Sequence, residues 1–100
     1  MELHAGQVAV VTGAASGIGF GIAEALGRRG LTIVLADIEA GALGDAELRI
    51  QRLGVATSTM VTDVAERAQV QALRDHVEAR FGRVDIVCNN AGVVTDSKST

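Results

Sequence analysis

Proline, tryptophan and tyrosine are missing from this 100-residue sequence, and phenylalanine occurs only twice. An aromatic-rich β-sandwich core is therefore excluded. Val, Ile, Leu and Ala must fill the interior, a set that suits helices packed on a parallel sheet. With no proline-rich stretch and no repeat, the 12 glycines read as punctuation of an ordered domain rather than as linker. A single cysteine, Cys88, rules out an internal disulfide and fits a reducing, cytoplasmic setting; within its apolar run it reads as a small buried hydrophobe. No apolar run exceeds a strand's length, so no membrane span is expected. Residues 1–6 lack a basic region followed by an apolar one, so a secretory leader is not expected either. Net charge is −3 and the largest basic cluster is Arg28-Arg29, which argues against a nucleic-acid surface.

What the sequence does contain is alternation between short apolar runs and amphipathic stretches. The run from Gln7 to Thr12 is the first candidate strand, and Leu31–Ala36, Val55–Val61 and Val84–Cys88 are the next three. Between them, three sets of apolar residues recur at helical spacing: Ile18, Ile22 and Leu26; then Leu43, Ala46, Ile50 and Leu53; then Val70, Leu73, Val77 and Phe81. Gly30, Gly54 and Gly82 stand where each helix should stop. The pattern is β-α-β-α-β-α-β, with strands continuously apolar, as in a parallel sheet covered on both faces. Right-handed crossovers then predict one α/β domain over 1–100, a Rossmann-type doubly wound sheet with strand order 3-2-1-4. In that order the fourth strand lies at an edge, yet its apolar sides call for further cover. The expectation is a domain incomplete on its C-terminal side.

The candidate chemistry begins at Thr12-Gly13-Ala14-Ala15-Ser16-Gly17-Ile18-Gly19, between the first strand and the first helix. A phosphate-binding turn needs backbone N–H groups unobstructed by Cβ atoms, facing an anion at a helix N-terminus. Gly13 serves the tight turn, Gly17 the close approach of backbone to a pyrophosphate, and Gly19 the packing of helix onto sheet. Ser16 offers a hydroxyl to a phosphate or to the turn. No Lys-Ser/Thr pair follows, which disfavours a triphosphatase loop. Asp37 ends the second strand, where a carboxylate accepts the hydroxyls of an adenosine ribose and repels a 2′-phosphate. With Ile at 38 and Ser at 16, no base stands ready for that phosphate, so NAD is favoured over NADP. The plainer reading, a carboxylate capping the second helix, is compatible with that role.

These motifs resemble those of the short-chain dehydrogenases/reductases. Thr12 to Gly19 match that family's Thr-Gly-x-x-x-Gly-x-Gly pattern, and Asn89-Asn90-Ala91-Gly92 matches its Asn-Asn-Ala-Gly element. Asp63-Val64 stands where the family places an Asp that contacts the adenine amino group. The resemblance implies that Gly13, Ser16, Gly17, Ile18 and Gly19 hold the pyrophosphate and adjacent ribose. It implies that Asp37 binds the adenosine ribose and that Asp63 and Val64 flank the adenine. Asn89, Ala91 and Gly92 would line the cofactor cleft, with Asn90 fixing the strand and its loop. The implied reaction is hydride transfer between NAD(H) and a small alcohol or ketone, in a complete protein that is a dimer or tetramer.

The departure from the family lies in the catalytic residues. Its members use a Tyr-x-x-x-Lys pair and a Ser downstream of Asn-Asn-Ala-Gly, but here there is no Tyr and the single Lys is Lys98. No proton donor and no metal-ligand set can be nominated, and His76, on the third helix, reads as solvated. Residues 1–100 alone are thus expected to be inactive. The alternative is a non-catalytic module that binds a nucleotide or associates through its fourth-strand edge. A methyltransferase is a distant third, disfavoured by the long glycine turn and Asn-Asn-Ala-Gly.

Overall fold

The computed structural model describes residues 2–90. The elements are β1 (Val8–Thr12), α1 (Gly17–Arg28), β2 (Thr32–Asp37), α2 (Ala40–Gln51), β3 (Thr57–Val61), α3 (Arg67–Phe81) and β4 (Ile86–Asn89). All pairings are parallel and the sheet order is β3-β2-β1-β4, as the apolar pattern predicts.

Side chains alternate across the pleat, so each strand feeds two cores. On one face Ala9, Val11, Ile33 and Leu35 meet Phe20 and Ala23 of α1 and Leu43, Ala46 and Ile50 of α2. On the other, Val8, Val10, Val34 and Ala36 meet Leu73 and Val77 of α3. This double cover is why β1 is buried at every position and reads as an unbroken apolar run. Full burial of a Val, Leu or Ile contributes about 1.5–3 kcal/mol each, so the inner strands carry most of the apolar stabilisation.

Two helical expectations are corrected. Ile18 is 77% exposed and belongs to no core; α1 instead buries Gly19, Phe20, Ala23 and Gly27. Small residues bring α1 close to its neighbours, and a methyl on Gly27 would lie 2.9 Å from Leu53 Cδ1. His76 is half-buried rather than solvated, with Nε2 2.6 Å from the hydroxyl of Ser58 on β3. The reason is local: Ser58 is buried, and its hydroxyl needs a partner away from water. Cys88 is half-buried and packs against the α1 side, close to its expected role.

The lower ends of β1 and β4 are fastened together. Val8 N–H donates to Asp85 Oδ2 at 2.8 Å, and Asp85 N–H donates back to the Val8 carbonyl at 2.9 Å. Arg83 adds a two-point contact to the same carboxylate, Nε to Oδ2 at 2.8 Å and a terminal nitrogen to Oδ1 at 2.7 Å. The guanidinium of Arg83, then the Val8 N–H, hold the Asp85 carboxyl below the usual carboxylate range.

On the α3 face, β4 is open. Val87 is 64% exposed, and it borders a trough of about 560 Å³ whose walls include Val10, Val70, Leu73, Val77 and Val84. No helix among the described residues is long and apolar enough to cross a membrane.

Candidate functional site

The register aligns the carboxyl ends of the strands: Thr12 lies opposite Ala36 and Asn89, and Asp37 opposite Val61. The glycine turn, Asp37, Asp63-Val64 and Asn89 therefore gather along one edge of the sheet, where open α/β sheets bind ligands. The chain winds outward from β1 to β2 and β3 and then crosses back to β4 on the other side of β1, so the topological switch point lies between β1 and β4.

The turn is built by backbone that few residues tolerate. Gly13 and Gly17 both have φ of 63°, in the left-handed region. Around a Cβ placed on Gly17 there is nothing within 4 Å, so the turn presents an open approach. Gly19 is the opposite case: a Cβ there would fall onto the Gly13 carbonyl, with the carbonyl carbon at 2.7 Å. Its absence of side chain closes the turn on itself more than it packs helix on sheet. Ser16 is the N-cap of α1, extended at φ −158°, and its side chain makes no capping bond. There is no acidic residue in the first turn. Exposed Ser16, Gly17 and Ile18 thus surround helix N–H groups that lack intrahelical partners and carry partial positive charge.

Asp37 does more than face a ligand. Its Oδ2 accepts the N–H of Ala15 at 3.0 Å and its Oδ1 that of Glu39 at 3.1 Å. Ala14 N–H donates to the Ala36 carbonyl at 3.1 Å, so the end of β2 fixes the glycine turn from two points. The N-cap of α2 is Glu39, so Asp37 is not itself the helix cap. Each carboxylate oxygen retains capacity for a second donor.

At the end of β3, Thr62 N–H donates to the Asp37 carbonyl at 2.9 Å. Asp63 Oδ1 accepts the Ala65 N–H at 2.9 Å, and half-buried Val64 follows it. At the end of β4 the organising group is Thr12, to which sequence reasoning assigned no role. Its buried hydroxyl donates to Asn89 Oδ1 at 2.8 Å and accepts the Asn90 N–H at 3.0 Å. Only its place at the head of the glycine motif signalled it. Asn90 Nδ2 also donates to the Thr12 carbonyl at 3.5 Å, and exposed Asn89 shares the Thr12 anchor. Ala91, Gly92 and Lys98 lie outside the described residues. No metal-binding group of three or more His, Cys, Asp or Glu side chains occurs among the described residues.

The short chain dehydrogenase family model matches residues 7–100, and the chain belongs to that family. It is 44% identical over 88 residues to 1-deoxy-11-beta-hydroxypentalenate dehydrogenase of Streptomyces avermitilis, covering 88% of this chain and 33% of that protein. It is 47% identical over 91 residues to D-threitol dehydrogenase of Mycolicibacterium smegmatis, covering 88% and 34%. Among solved structures, L-sorbose reductase from Gluconobacter frateurii complexed with NADPH and L-sorbose superposes with TM-score 0.86 at 38% identity, over 92% of this chain and 36% of that one. A short chain dehydrogenase/reductase from Burkholderia phymatum in complex with NAD gives 0.83 at 40% identity, over 87% and 31%. The chain spans about a third of the length of the curated relatives it matches.

Proposed function

We propose that residues 1–100 are the dinucleotide-binding domain, incomplete on its C-terminal side, of an NAD-dependent oxidoreductase acting on a small alcohol or ketone. The observation that carries this reading is the pairing of an open, left-handed Gly17 with the Asp37 carboxylate fixed beside it. The residues fit the group: a pyrophosphate needs exposed N–H donors without a Cβ in front, and Gly17 leaves that space open. Gly13, Ser16, Gly17, Ile18 and Gly19 would hold the pyrophosphate and its ribose, and Asp37 the adenosine ribose. Asp63 and Val64 would flank the adenine, while Asn89, Ala91 and Gly92 would line the cleft. When bound, the cofactor supplies the hydride acceptor or donor.

NAD is favoured over NADP because a second negative charge beside Asp37 would meet repulsion, with Ile38 and Ser16 offering no cation. Similar structures hold NAD in one case and NADPH in another, and it is the Asp37 carboxylate that supports NAD for this chain. With no Tyr in the chain and no general acid at the strand ends among the described residues, residues 1–100 alone should turn over no alcohol. Measured turnover by the purified chain would overturn that part.

The test is titration of the chain with NADH and NADPH, followed by nicotinamide fluorescence. NADH should bind at least about tenfold tighter, the worth of one charge-assisted contact. Equal or tighter NADPH binding would refute the choice of cofactor, and no enhancement with either would refute the dinucleotide site. A second reading, a non-catalytic association module, is favoured by exposed Val87 on the β4 edge. An oligomer that ignores NADH would establish it.

A further inference from the structure

The loop carrying Asp63 is held by a residue that belongs to none of the sequence motifs. Consecutive N–H groups of an extended chain point to opposite sides. Thr62 N–H points to β2 and donates to the Asp37 carbonyl, so the next N–H, of Asp63, points away from the sheet. Among the described residues β3 is an edge strand, with no neighbouring strand there to accept it. Gln69, in the first turn of α3, fills that place: its Oε1 accepts the Asp63 N–H at 2.8 Å. Gln69 is itself seated by its own N–H donating to the Glu66 carbonyl at 3.0 Å. The Asp63 carbonyl accepts the Glu66 N–H at 2.9 Å, and Asp63 Oδ1 accepts the Ala65 N–H. Asp63 is thus fixed at its backbone nitrogen, its backbone oxygen and one carboxylate oxygen. Among the described residues its Oδ2 has no such partner.

We propose that Gln69 is a positioning residue for the base end of the dinucleotide site, fixing the Asp63 carboxylate that reads an exocyclic amino group. This rests on the dinucleotide reading above. Gln69 does not touch the ligand; it acts by holding one N–H. Its side chain is exposed, and Gln and Ala differ little in helix propensity, so substitution spares the fold.

The experiment measures dissociation constants of the chain for NADH and for reduced nicotinamide hypoxanthine dinucleotide, in which a carbonyl replaces the 6-amino group. Wild type should prefer NADH. Gln69→Ala should weaken NADH binding about threefold to tenfold, the worth of one net hydrogen bond, and leave the hypoxanthine ligand nearly unchanged. Gln69→Glu keeps an acceptor at the same reach and should restore the preference. Equal weakening of both ligands, or no change with either, would overturn the assignment. Absence of NADH binding to wild type is a separate result: it removes the dinucleotide site itself, and Gln69's role with it.

Discussion

A methyl group at position 19 has nowhere to go, because the Gly13 carbonyl already occupies its space. The obstacle is backbone rather than a flexible side-chain end, so Gly19→Ala must push α1 away from the turn. Overpacking of that kind costs about 1–3 kcal/mol. Gly21, two residues on in the same helix, has nothing within 4 Å of its would-be Cβ. There the helix-propensity gain acts alone, and Gly21→Ala should stabilise by about 0.5–1 kcal/mol. Urea unfolding should move in opposite directions for the two variants, and NADH fluorescence enhancement should be lost only for Gly19→Ala. Equal shifts would mean that the turn yields more readily than its geometry implies. At this scale the glycine motif and Asp37 are legible from type and spacing alone. The Asp37–Ala15 bond is not, because it joins side chain to backbone across 22 positions.

Among the elements, the junction of β1 and β4 depends on one carboxylate. Asp85 accepts from Val8 and twice from Arg83, and these donors depress its pKa below the ordinary value of about 3.9. A depressed carboxylate adds stability that is fully present above the unfolded-state pKa and lost as pH falls through the folded-state pKa. Wild type should therefore exceed Asp85→Asn in urea midpoint at neutral pH, with the difference shrinking as pH drops below about 4. A difference that stays constant down to pH 2 would assign the effect to shape rather than charge. The same junction shows where periodicity fails. The apolar run from Val84 reads as one strand, but pairing begins at Ile86, because Asp85 is turned to the β1 end. Likewise Ile18 fits the helical stripe yet is exposed; Ile22 and Leu26 do pack on the core, but its fully buried line of Phe20, Ala23 and Gly27 contains too few bulky residues to stand out. Interior strands are easy to read since both faces are covered; partners 77 positions apart leave no local trace.

For the molecule as a whole, the open face of β4 separates folding from function. Ile86 and Cys88 of β4 pack toward α1, whereas Val87 faces the trough beside Leu73 and Val77. Apolar surface of this kind, next to a strand edge, favours association in water. The trough reaches the strand ends at Thr12, Val64 and Asn89, but it takes in neither Asp37 nor any residue of the turn from Gly13 to Gly19. Association and ligand binding should therefore be separable in one experiment. Sedimentation of the chain should show concentration-dependent self-association, and Val87→Lys should reduce it by placing a charge on the exposed face. NADH affinity of that variant should stay within about twofold, because the turn and Asp37 are held through the N–H groups of Ala14, Ala15, Glu39 and Thr62, none of them on β4. If Val87→Lys weakened NADH binding as strongly as it reduced association, assembly would be part of the binding site. The association reading would then gain over the cofactor domain. If the chain were monomeric at every concentration, the exposed valines would be an ordinary surface feature and the β4 edge would lose its proposed role.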